Sequence, residues 1–393
     1  EERPTSSDSI DDSVDRFLNS PRLSQKIRNP ETGRTISFSE VGDPDGFAVF
    51  CCVGMGLTRY ITAFYDELAR TLKLRLITPD RPGVGESEPY APGTGTPLNW
   101  PEDVYLICSH LKINKFSILA HSAGAIYALA TALRMPQHIR GRIHLLAPWI
   151  PPSQMSVIGS QQQLPPAGAV PTSQKILRAL PTPILKAANS SFMSATSASI
   201  TRSVPKSPRR TKRRSTGPGR EFSGFDIQGR NSLPMERGQF DPNQLSNLCQ
   251  FMPDPSNHST EAAILAAAAA ELAEKERQAI YDQRLTHAIW DMATTNANPA
   301  VDLLICLERG QTIGFRYVDI NRAVVIHHGT KDTRVPVENV RWLGTTMRRC
   351  EVRVLEGEGH GLMASATVMG SVLMEIAKEW EDWTSVVRSK GEG

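Results

Sequence analysis

The stretch Phe116-Ser117-Ile118-Leu119-Ala120-His121-Ser122-Ala123-Gly124-Ala125-Ile126-Tyr127 decides the fold. Phe116–Ala120 reads as a strand buried on both faces. Residues 123–135 read as an apolar helix closed by Pro136. Between them, Ala120-His121-Ser122-Ala123-Gly124 must turn sharply from strand to helix. A serine at such a corner takes a strained backbone and lifts its hydroxyl above the sheet edge. Ala120, Ala123 and Gly124 are small, as the close approach of strand and helix requires. The usual pattern is G-x-S-x-G, and here Ala120 replaces the first glycine.

Working outward, the same rhythm recurs. Thr35–Val41 alternates apolar and polar residues before the turn Gly42-Asp43-Pro44-Asp45-Gly46. Phe47–Val53 and Leu74–Thr78 are short buried strands, and 59–72 and 101–111 have helical spacing. Ile143–Ala147 is a further strand. After a gap, Ala323–His327, a helix from about Val337, Cys350–Leu355 and a helix from about Leu362 to Val387 resume the pattern. Strands alternating with helices predict an α/β fold with a mainly parallel sheet.

The gap is one long insertion. Residues 1–30 read as a disordered tail, 31–150 and 316–393 as two parts of one core, and 151–315 as a cap, with about 195–258 disordered. Ordered stretches are expected at 175–193 and 260–310, the latter beginning in a helix with Thr260 as its N-cap. The basic residues Arg209, Arg210, Lys212, Arg213 and Arg214 read first as a solvated linker. A nuclear-localisation signal or a peripheral contact with acidic lipid headgroups are the alternatives.

A serine hydroxyl needs a base, and the base an orienting acid. Val324-Val325-Ile326-His327-His328-Gly329-Thr330-Lys331-Asp332 runs from a strand into a turn ending on an acid. Glu356-Gly357-Glu358-Gly359-His360-Gly361 sets a histidine between glycines just past another strand. Ser122, Asp332 and His360 therefore stand in the order nucleophile, acid, base, each at a strand's carboxyl end. The N–H of Ala123 is one expected oxyanion donor.

With these residues the chain resembles the α/β-hydrolase superfamily, in its cap-bearing, esterase- and lipase-like branch. The resemblance covers about 32–150 and 316–388. It includes Gly54 after the third strand and Pro79-Asp80-Arg81-Pro82-Gly83-Val84-Gly85-Glu86-Ser87, similar to the family's D-x-x-G-x-G-x-S turn. It implies a second oxyanion donor at Met55, although Val53 stands where the family has histidine. It further implies a serine hydrolase cleaving an ester or related acyl bond through an acyl-enzyme, without cofactor. An acyltransferase using the same residues, and a non-catalytic ligand-binding or scaffold protein on this fold, remain open alternatives. The expected partner is a small apolar ester or acyl substrate.

Composition agrees with such a protein. The 393 residues are 40% hydrophobic and carry a net charge of +3, which gives no reason to expect nucleic acid. The six cysteines are scattered and have no metal-ligand spacing, so free thiols and no catalytic metal are expected. Residues 1–15 lack the apolar core of a secretory signal, and no run is long enough to span a membrane. The expected location is the cytoplasm, or the nucleus through 209–214.

Overall fold

The computed structural model describes residues 7–155, 166, 172–179 and 257–391. Eight strands form one sheet in the order β1-β2-β4-β3-β5-β6-β7-β8. They are β1 (Gln25–Arg28), β2 (Thr35–Gly42), β3 (Phe47–Cys52), β4 (Leu74–Pro79), β5 (Phe116–His121), β6 (Ile139–Leu146), β7 (Val324–Gly329) and β8 (Cys350–Leu355). β2 runs antiparallel to both neighbours, and β3 to β8 are parallel to one another. The α/β reading therefore holds, with an antiparallel edge. Parallel strands need crossovers, and these are the helices α2 (Asp66–Thr71), α3 (Trp100–Leu111), α4 (Gly124–Arg134) and α8 (Val337–Thr346).

The chain divides into two units, 1–205 with 281–393, and 206–280. The first holds the sheet. Its strand side chains alternate between two apolar layers: Phe50 and Cys52 enter one, Val49 and Cys51 the other. Helices α3 and α4 supply the first layer, and the C-terminal helix α9 (Ala366–Gly391) supplies the second through Met369, Val372, Leu373 and Ile376. Cys51, Cys52, Cys108, Cys306 and Cys350 are free thiols.

Three expectations change. The N-terminal tail is ordered from Ser7: α1 (Ser7–Leu18) buries Ile10 and Val14, and β1 pairs with β2. Ile10, Val14, Phe17 and Leu18 form a helical stripe that the surrounding Ser and Asp residues conceal from a compositional reading. The alanine-rich helix α6 spans Asn257–Thr294, so Thr260 lies inside it and is not its cap. Of the ordered stretch expected at 175–193, α5 (Thr172–Ala179) is present, and the remainder lies outside the described residues. So do Cys249, the basic cluster at 209–214 and most of the segment expected to be disordered. A short helix, α7 (Pro299–Cys306), leads back from the insertion to the core. None of the described helices is long and apolar enough to cross a membrane.

Candidate active site

The strand–helix corner has the strained geometry its sequence demands. Ser122 sits at φ 51°, a left-handed conformation that a non-glycine residue adopts only where its surroundings enforce it. The Ser122 N–H donates to the Leu146 carbonyl at 2.9 Å, and the Trp149 N–H donates to the Ser122 carbonyl at 3.0 Å. Gly124 is obligatory, because a Cβ there would lie 2.0 Å from the Cys52 carbonyl oxygen. Ala120 needs no glycine: it is a fully buried residue of β5, paired with Cys52 and Leu145.

The Ser122 hydroxyl lies 2.7 Å from His360 Nε2, and His360 Nδ1 lies 2.7 Å from Asp332 Oδ2. The carboxylate fixes the roles. Nδ1 carries the proton and donates it to Asp332, leaving the Nε2 lone pair to accept from Ser122. The other Asp332 oxygen accepts the Arg334 and Val335 N–H groups at 2.8 and 3.0 Å. Burial opposes ionisation of Asp332, but the His360 hydrogen bond and charge and these two amides outweigh it and hold its pKa below the usual carboxylate range. Three residues far apart in sequence are thus brought together.

Two further histidines support the array. His121 Nε2–H donates to the His360 carbonyl at 2.9 Å, tying the histidine loop to the serine corner. Burial, and then the neighbouring His360, lower the His121 pKa to about 3, so it stays neutral. His328 Nε2–H donates to the Val335 carbonyl at 2.9 Å and buttresses the acid turn. Position next to the motif serine is the one sequence signal for His121, and His328 has none.

The loop after β3 packs on the corner. A Cβ on Gly54 would lie 2.7 Å from His121 Nδ1 and 3.3 Å from Ser122 Cβ. His121 cannot swing away without releasing His360. Gly54→Ala should therefore lower kcat about tenfold or more and cost about 1–3 kcal/mol of stability, as overpacking does. Steady-state kinetics and urea unfolding would check both. Among the described residues, the N–H groups of Met55 and Ala123 donate no hydrogen bond.

Asp80 is occupied structurally. It binds Arg59 through the Arg59 amide at 2.6 Å and Nη1 at 2.5 Å, and it accepts the Ser37 hydroxyl at 2.8 Å.

One group of metal-ligand types does assemble among the described residues. His144, His327 and Glu375 bring ligating atoms within 4.8 Å of one another. No sequence spacing announced it, because β6, β7 and α9 contribute one residue each. Glu375 is already held by Arg142 and Arg353, with Arg353 Nη1 at 2.7 Å. His144 Nδ1 faces His327 Nε2 at 3.3 Å, and Arg142 Nε binds Glu379 at 2.6 Å. Two guanidiniums on these carboxylates oppose a further cation, and the network ties α9 to the sheet.

The buried histidines predict acid lability. Burial lowers the pKa of His121 to about 3 and of His327, with His144 nearby, to about 4. Both groups titrate near 6.5 when unfolded, so below that pH the unfolded chain binds protons that the folded chain refuses. Stability should fall between about pH 6.5 and 4, by about 1.4 kcal/mol per pH unit for each histidine. Asp103, raised by burial to about 6, opposes this by one proton. Urea unfolding at pH 7, 6, 5 and 4 would measure the slope. A flat or rising stability over that range would contradict the burial argument.

The fold has counterparts among known proteins. Residues 48–224 match the family described as the alpha/beta hydrolase fold. A carboxylesterase structure from the thaumarchaeon Nitrososphaera gargenis aligns over 91% of this chain and all of its own, with a TM-score of 0.51 and 13% identity. An enol-lactonase structure from Burkholderia xenovorans LB400 covers 88% of this chain and 98% of its own, with a TM-score of 0.48 and 12% identity. RutD of Rhizobium rhizogenes, a protein named for carbamate hydrolysis, is 29% identical over 106 residues. That match takes in 27% of this chain and spans 40% of the relative's length. The chain has the α/β-hydrolase fold.

Proposed function

We propose that the protein is a serine hydrolase that cleaves a carboxylic ester or a related acyl bond. The observation that carries this reading is the continuous relay from the Ser122 hydroxyl through His360 to Asp332, 2.7 Å at each step. His360 Nε2 takes the hydroxyl proton as Ser122 Oγ attacks the carbonyl carbon. The N–H groups of Ala123 and Met55 hold the resulting oxyanion. His360 returns its proton to the leaving alkoxide, giving the acyl-enzyme and an alcohol. It then deprotonates water, whose attack releases the acid and restores Ser122. Asp332 keeps the imidazole in the required tautomer throughout. No step calls for a cofactor. The carboxylesterase and carbamate-hydrolase names among the similar proteins fit acyl chemistry of this kind. We place substrate choice in the insertion, and an apolar acyl or alcohol group as the preferred substrate.

A fluorophosphonate probe tests this directly. It should label the native chain on Ser122 and fail on Ser122→Ala. A panel of esters of graded chain length, with that variant as control, would then locate the preferred acyl group. Product analysis with an added alcohol acceptor separates hydrolysis from acyl transfer. An absence of labelling together with an absence of ester turnover would overturn the reading in favour of a non-catalytic binding protein.

A further inference from the structure

The turn after β4 buries an arginine that the relay does not use. Arg81 is 1% exposed, and each nitrogen of its guanidinium donates a hydrogen bond. Nε and Nη2 form a two-pronged pair with Asp302, each at 2.7 Å. On its other side, Nη1 donates to the Val53 carbonyl at 2.7 Å, and Nη2 donates to those of Gly54 at 3.0 Å and Leu57 at 3.3 Å. The arginine thus grips the loop after β3 by three carbonyls.

One of those carbonyls matters most. The Gly54 C=O and the Met55 N–H belong to a single trans peptide, so they point in opposite directions across one plane. A guanidinium fixed on the carbonyl fixes the direction of the amide. It also draws charge from the peptide and makes the N–H a stronger donor. Gly54 itself packs against Ser122 Cβ. The grip therefore acts on the peptide that carries the proposed oxyanion donor.

Asp302 belongs to α7, on the segment returning from the insertion. That segment is fastened to the core on both sides of the arginine. The Gly85 N–H donates to the Asn296 carbonyl at 2.9 Å, and Asn298 Nδ2 donates to the Gly83 carbonyl at 2.7 Å. The Thr58 N–H and hydroxyl donate to the Ala293 and Met292 carbonyls at 2.8 and 3.1 Å. The same loop, Val53 to Thr58, is therefore held at one end by Arg81 and at the other by the end of α6.

We propose that Arg81 and Asp302 form a clamp through which the segment returning from the insertion aims the Met55 amide at the developing oxyanion. The inference rests on the hydrolase reading of Ser122. Asp302 is a positioning residue: it touches no reacting atom and acts through Arg81. It supplies the buried charge that holds the guanidinium in its two-pronged geometry. In Asp302→Asn the guanidinium loses its one charged partner, the loop gains freedom, and the donor loses its aim.

The test compares Asp302→Asn and Arg81→Lys with the unsubstituted 393-residue chain. Losing one oxyanion donor outright costs about 10²–10³ in kcat, so a donor that is mis-aimed should cost about 10–100-fold. KM should stay within about threefold, because ground-state binding does not use the oxyanion. Affinity for a trifluoromethyl ketone, whose hemiketal oxyanion occupies the same place, should fall in step with kcat. Amide exchange of residues 53–58 should quicken, while that of the strands stays unchanged.

Unchanged kcat, ketone affinity and exchange in folded Asp302→Asn would overturn the clamp. A variant that fails to fold is replaced by Arg81→Met with Asp302→Leu, which removes both buried charges at once. That double variant should fold and remain slow; full kcat in it would also overturn the clamp. Should the native chain hydrolyse no ester and take no probe, the hydrolase reading falls by itself. The exchange comparison then decides the clamp: faster exchange over 53–58 sustains it, and no change refutes it.

Discussion

Ser122→Ala is expected to lower kcat for ester cleavage by about 10⁴–10⁶-fold while leaving KM and the fold nearly unchanged. The size of the loss follows from the geometry. The hydroxyl is the one nucleophile within reach of His360 Nε2 in the relay, at 2.7 Å, and a methyl group cannot take its place. Alanine keeps the same backbone, so the contacts of the corner with Leu146 and Trp149 survive. His360→Ala should cost about as much, and the double variant hardly more than either single one, because the two groups act as a unit. Pre-steady-state and steady-state measurements with one activated ester would show this. Additive losses would mean that Ser122 and His360 act independently.

Asp332→Asn is expected to lower kcat about 10⁴-fold through the tautomer of His360. An asparagine Oδ1 can still accept the Arg334 and Val335 amides, so the turn should hold. Its Nδ2 would face His360 Nδ1, now as a donor. The imidazole proton would move to Nε2, which could no longer accept from Ser122. Proton NMR of the imidazole N–H resonances would report the exchange of tautomer. Circular dichroism would show that the fold is kept. Asp332→Ala leaves a buried cavity beside His328 as well, so Asn is the cleaner change.

Much of this was legible in the chain because local physics dictates it. A buried strand followed by small residues and an apolar helix can make only a tight corner, and Ser122 is found at φ 51° within it. Glycines around His360 mark a loop that must bend, and Gly329 lets the end of β7 approach that loop: a Cβ there would lie 2.2 Å from the Glu358 carbonyl. The order of the tail is concealed for a local reason too. Its four apolar residues are spaced for a helix but diluted by Ser and Asp, so composition outweighed period. The antiparallel strand β1 is short and half exposed, and it carries no alternation strong enough to distinguish it.

The sequence by itself determined the strand–helix rhythm, the corner at Ser122 and the order of serine, acid and histidine, because these depend on neighbours in the chain. Tertiary structure alone decided what meets across it. His121 reaches the His360 carbonyl across 239 positions, Arg81 finds Asp302 across 221, and His144 finds His327 across 183. No periodicity encodes such pairs. They arise because the sheet stacks the ends of β3, β5, β6 and β7 side by side, and because buried charges and ring nitrogens must find partners once water is excluded.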